Sequence, residues 1–308
     1  MALNLNALHE ITRIDRHDIP YFRELFGRIV DTAPVLAATG RANMSVAQLM
    51  QRKLDVRNAS KDVQSAWMDN YFHTSDLIAQ RGDELNVVLP TYADGSVSVV
   101  GKSYLNLLNP KEQLVNGAVN LAVDDRWDML RGYGHGEGVF SFSIRHDLAS
   151  VFNRDLTLGQ AKDALLWKIL LRHPDEVPKE YAIKGLHGNV IPFLFEAYRD
   201  RFAKEVGVED CNAMGVLSSP GSENGELGAF YVCRLEDGSR LLGRYDLGNF
   251  NGRLVGLAPE ALRTLGSGGI VKSYTSADLK AVDDVLGTLE GAVRPDVLQP
   301  IVELRRKL

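Results

Sequence analysis

"ADGSVSVVGKS", residues 93–103, closes on Gly101-Lys102-Ser103, the last three letters of a phosphate-binding P-loop. The fold turns on how this stretch is read. A P-loop joins a strand to a long helix in a parallel α/β sheet, whereas the returning arm of a hairpin belongs to an antiparallel one. A P-loop needs glycine, four residues, then Gly-Lys-Ser or Thr, so that bare backbone amides can curl round the phosphates. Here five residues separate Gly95 from Gly101, and Ser96 stands where the first glycine should be. Val97, Val99 and Val100 favour extended backbone. Lys102 leads into a short segment ending at Asn109-Pro110, with no long helix whose N-terminus could face a phosphate. Asp94-Gly95 is a strong hairpin signal, and Leu85, Val87 and Leu89 alternate before it as Val97 and Val99 do after it. "DGSRLLGR" (237–244) repeats the cadence. The stretch reads as a hairpin, and the chain as α+β, with antiparallel hairpins at about 84–104 and 229–246.

Working outward, residues 1–82 read as an N-terminal helical segment and 83–308 as a mixed α+β body. Phe22, Leu25, Phe26, Ile29 and Val30 follow the spacing of one helix face, with Asp18 as cap and Pro20 in the first turn. Ser45 with Gln48 is a capping box. Ser60 opens a helix striped by Val63, Trp67, Tyr71, Thr74 and Ile78 and closed at Gly82. These three helices are expected to pack together. A further helix is expected from about Lys111 to Leu130, followed by the loop "GYGHGEG" (132–138) and a strand carrying Phe140, Phe142 and Ile144 on one face. Thr157 with Gln160 opens a buried helix to about Leu171. Leu194, Tyr198, Phe202 and Val206 stripe the next one, and Ser276 opens a C-terminal helical stretch.

The composition, 45% hydrophobic and 24% charged over 308 residues, suffices for a sizeable core. A net charge of −5 gives no whole-chain attraction to phosphate backbones or anionic lipid, so nucleic acid is not an expected partner. No apolar run reaches the ~18 residues of a membrane span, and the N-terminus lacks a secretory pattern. Cys211 and Cys233 read as two buried thiols of a cytoplasmic protein.

The richest site candidate is the loop "RGYGHGEGVF". His135 and Glu137 have a spacing that suits two ligands of one divalent metal ion, and His187 in "KGLHGN" is the candidate third, as in a two-His, one-carboxylate arrangement. His146 and Asp147 adjoin on a strand end and so point apart. Zinc-deaminase, zincin, EF-hand and nucleophile-elbow spacings do not occur. These residues leave two functions open. The first is a non-catalytic structural or interaction subunit of a larger intracellular or viral-type assembly, with protein partners or self-association and no cofactor. The alternative is a metal-dependent hydrolase or oxidoreductase working through His135, Glu137 and His187.

Overall fold

The computed structural model of the protein describes residues 22–103, 108, 114–115, 117–123, 125–218, 223–244, 247–248 and 253–258. The chain divides into two compact units, Met1–Gly268 and Gly269–Leu308, and every described residue lies in the first. The elements, in chain order, are β1 (Phe22–Phe26), α1 (Ile29–Ala38), β2 (Ala42–Asn43), α2 (Val46–Asp55), α3 (Lys61–Met68), β3 (Phe72–Arg81), β4 (Glu84–Val88) and β5 (Val119–Asn120). They continue with α4 (Arg126–Arg131), β6 (Val139–Ser143), α5 (Ile144–Asp147), α6 (Leu158–Asp163), α7 (Leu165–Leu170) and α8 (Leu186–Phe202). The last four are β7 (Val216–Ser218), β8 (Glu226–Val232), β9 (Leu241–Arg244) and β10 (Arg253–Leu257).

All ten described strands form one mixed sheet with the path β1-β10-β3-β8-β9-β7. Off that path, β2 joins β10, β5 joins β8, and β4 links β3 to β6. The pairs β10–β3 and β7–β9 are parallel; the others are antiparallel. Successive side chains of a strand point to opposite faces, and here they feed two separate cores. Ile78, Leu85, Val87, Phe230 and Val255 pack with α2, α3 and α6–α8, whereas Leu77, Ala79, Val88, Ala229 and Leu254 pack with α1 and α4. The result is helix, sheet, helix.

Several local signals are realised as read. The Ser45–Gln48 and Thr157–Gln160 capping boxes are both closed, with the side chain of each pair meeting the other's backbone amide. Ser60 accepts from the Val63 amide, β6 stands where Phe140 and Phe142 placed it, and β8 pairs antiparallel with β9 across Asp237-Gly238.

Other elements differ. Phe22–Phe26 is a strand against β10, and the helix begins only at Ile29. The helix from Ser60 stops at Met68, and residues 72–81 form the central strand. Its neighbours cover both faces, so the sequence carries no period-two pattern, and Gly82, at φ +56°, turns the β3–β4 hairpin instead of capping a helix. α1 packs on the face opposite α2 and α3. Between Leu114 and Leu130 the described residues hold β5 and only the short α4. The helix expected through Leu171 breaks at Ala164, whose backbone is extended. β4 takes β3 and β6 as partners, while Thr91 and Val97 share a single bridge in the expected first hairpin. The C-terminal stretch from Ser276 lies outside the described residues, as do Asp18 and Pro20.

Candidate functional site

The stretch after β4 folds tightly on itself. The Asp94 Oδ1 accepts from the Ser96 amide (2.9 Å) and hydroxyl (2.6 Å), and Gly95 adopts φ +79°, so the Asp-Gly signal does make a turn. Ser98 is the hub of the loop beyond that turn. Its amide donates to the Pro90 carbonyl (2.9 Å), its hydroxyl donates to the Leu89 carbonyl (3.0 Å), and the same hydroxyl accepts from the Gly101 amide (3.0 Å). The Lys102 amide in turn donates to the Ser98 carbonyl (3.2 Å), inside a 3-10 turn over Val100–Ser103. A Cβ at Gly101 would lie 1.9 Å from the Pro90 carbonyl oxygen. Glycine is required here for close packing between two backbone segments, and Lys102 emerges at a fixed, exposed position beside it.

The opposite wall is made by an irregularity in β3. Its pairing with β8 shifts between His73 and Leu77, and over the same residues its other neighbour changes from β10 to β4. Bulges re-aim side chains, and this one is held at three points. The Thr74 hydroxyl donates to the Phe230 carbonyl (2.8 Å), the Ser75 amide to the Met44 carbonyl (2.9 Å), and the Val46 amide to Asp76 Oδ2 (2.9 Å). Asp76 Oδ1 meets Arg172 Nη2 at 2.7 Å, with the two side chains 0% and 1% exposed. Burial pushes the Asp76 carboxyl above its usual range, and Arg172 pulls against that shift. Arg172 holds its place with a left-handed backbone, φ +61°, at the end of α7, where the His173 amide reaches back to the Lys168 carbonyl (2.7 Å). Such positions normally hold glycine, and a larger residue costs ~1–2 kcal/mol. An arginine is kept there because its guanidinium neutralises Asp76.

Between these walls lies a cavity of about 260 Å³. Arg41, Asn43, Ser75, Thr91 and Lys102 supply its polar lining, and Ala33 and Ala37 of α1 close one side. Ser75 and Thr91 are 2% and 5% exposed, yet neither hydroxyl has a hydrogen-bond partner among the described residues. A buried polar group left unsatisfied costs ~1–3 kcal/mol. Both residues belong to the lining of the one cavity.

The residues singled out from sequence lie elsewhere. His135 is exposed in a 3-10 turn and stacks on Phe140, with ring centroids 4.7 Å apart. Glu137 folds back so that its Oε2 accepts from the Gly134 amide (3.1 Å). His187 is buried in the first turn of α8, edge-on to His173 at 5.3 Å, and burial lowers its pKa to about 4. Among the described residues no group of three or more His, Cys, Asp or Glu is gathered as a metal would require. His146 and Asp147 are both exposed on α5, where the Asp147 carboxylate accepts from the Ser143 amide (2.7 Å). Cys211 and Cys233 are buried free thiols. No described helix is long and apolar enough to cross a membrane. Lys102 was visible in the sequence as the end of a failed P-loop; Arg41, Ser75 and Thr91 carried no signal, since they come from three separate segments.

No family model and no curated protein matches the chain. Among solved structures, a chain described under the words "Accommodation of massive sequence variation in Nanoarchaeota by the C-type lectin fold" is similar at 14% identity and a TM-score of 0.47, over 77% of this chain and 96% of that one.

Proposed function

We propose that the protein is a non-catalytic binding subunit that holds a small molecule between α1, the β3 bulge and the 90–102 loop. The observation that carries this reading is a cavity of about 260 Å³ whose lining includes Ser75 and Thr91, two buried residues with unpartnered hydroxyls. Drug-sized ligands occupy pockets of ~300–1,000 Å³, so a cavity of about 260 Å³ suits something smaller.

Ligand-observed NMR with a mixed set of small polar and apolar compounds tests the reading. Ala37→Phe, at an exposed helix position on the cavity wall, is expected to abolish the signals without lowering Tm. Signals that persist in Ala37→Phe, or their absence from the wild-type protein, would overturn it. Membership of a larger assembly belongs to the same proposal, because Val97 and Val99 stand exposed on the loop that forms the cavity wall. Native mass spectrometry is expected to show a defined oligomer or a partner complex; a monomer with no partner across the micromolar range would remove that part.

A further inference from the structure

We infer that the ligand of this cavity is a neutral, mainly hydrocarbon molecule of about ten carbons. This rests on the binding reading above and names the class of molecule the site takes. The polar residues of the lining give a ligand little to hold. Ser75 Oγ, Thr91 Oγ1 and Asn43 Oδ1 are buried atoms with almost no accessible surface, so none of them meets a molecule in the cavity unless the wall rearranges. Arg41 already has an interaction partner. Lys102 is exposed, and a long cationic side chain in that setting keeps its ammonium in water while its methylene stem covers apolar surface. What remains accessible is mostly carbon, drawn from Ala33, Ala37, Ala42, Pro90 and Val97.

That wall decides the charge of the ligand. A charged group entering the cavity loses hydration, and an exposed cation such as Lys102 is screened by solvent and returns little of that loss. A neutral polar group meets the same deficit, because it gives up its bonds to water without gaining a partner. Hydrocarbon surface gains by leaving water, in proportion to the area covered.

Volume sets the size. An apolar cavity of about 150 Å³ takes benzene. In proportion, a cavity of about 260 Å³ takes a body of about ten carbons. Small side chains leave this room. Ala33 and Ala37 stand one turn apart on the same face of α1, Ala42 adds a methyl group from β2, and Gly101 is held to glycine by the Pro90 carbonyl oxygen.

Ligand-observed NMR on the full chain with naphthalene, benzene and naphthoate tests this. Naphthalene is expected to bind. Benzene, which covers less of the wall, is expected to bind at least roughly tenfold more weakly. Naphthoate, the same body with a carboxylate, is expected to be weaker by a similar factor. Lys102→Met keeps the stem and removes the charge, and is expected to change naphthalene affinity by less than about twofold. Ala37→Phe is expected to abolish binding. Naphthoate binding as tightly as naphthalene, or a tenfold loss of naphthalene affinity in Lys102→Met, would overturn the neutral class while leaving the cavity a binding site. Benzene binding as tightly as naphthalene would overturn the size. Naphthalene signals that persist in Ala37→Phe would overturn this inference and the binding reading together. If naphthalene does not bind, the inference fails, and the mixed-compound NMR screen decides the cavity reading separately.

Discussion

A methyl group added at Gly101 would sit 1.9 Å from the Pro90 carbonyl oxygen, whereas one added at Gly134 or Gly136 would meet nothing within 4 Å. The two loops, 93–103 and 132–138, are both rich in the residues that suggest a site, and the second has more glycine and a histidine and glutamate besides. Yet the first forms a cavity wall, and the second is a surface turn whose Glu137 serves its own backbone. Only Gly138 of the second loop is sterically fixed, at φ +100° with the Leu89 carbonyl oxygen 2.7 Å from where a Cβ would lie. At Gly101 glycine is required because another backbone presses against it, whereas at Gly134 and Gly136 it is merely frequent.

The largest test of this contrast lies under the first loop. Arg172→Met leaves the buried Asp76 carboxylate without its cation, and losing one partner of such a pair costs ~3–5 kcal/mol. Chemical denaturation is expected to show that loss, and any variant still folded is expected to bind ligand poorly, because Ser75 is adjacent to Asp76 in the bulge. Next, Gly101→Ala is expected to cost ~3 kcal/mol, at the upper end of overpacking, since the obstacle is backbone. Equal stability of wild type and Gly101→Ala would break the comparison.

A third measurement shifts stability without touching either loop. Lys53 is 1% exposed, with its ammonium bonded to the Cys233 carbonyl (2.7 Å) and the Ser239 hydroxyl (3.2 Å), and burial lowers its pKa from 10.5 to about 7. The unfolded chain therefore holds this proton up to about pH 10.5 while the folded chain sheds it near pH 7. Stability from this group is expected to be flat below pH 7 and to rise above it, by about 2 kcal/mol between pH 7 and 9. Urea titrations should show the rise equally in wild type and Gly101→Ala, and a reduced rise in Lys53→Met. Smallest of all, Gly136→Ala and His135→Ala are each expected to stay within ~0.5 kcal/mol of wild type, as exposed positions do.

Much of the local structure was legible in the sequence because its causes are local. A capping box such as Ser45–Gln48 spans four residues, and its two hydrogen bonds form whatever surrounds it. β1 was not legible. Phe22, Leu25 and Phe26 fit a helix face, and the strand exists because Leu254 and Leu257 arrive from the far end of the chain to pair with it. β3 was hidden for a related reason: Trp67, Tyr71, Thr74 and Ile78 recur at helical spacing, while burial on both faces removed any alternation. The cavity was the least legible part. Ser75 joins its lining where β3 changes neighbours, and no short window of sequence contains both β10 and β4.

The position of β10 has a consequence for the order in which the sheet is assembled. It lies between β1 and β3, and it pairs with β1 from Phe22 opposite Leu257 to Phe26 opposite Arg253. On a ribosome adding ~5–20 residues per second, β1 would wait on the order of ten to fifty seconds for that partner to be made. Over that interval its backbone edge is open to any other strand. The first described strand of the sheet to be synthesised is thus among the last to be paired.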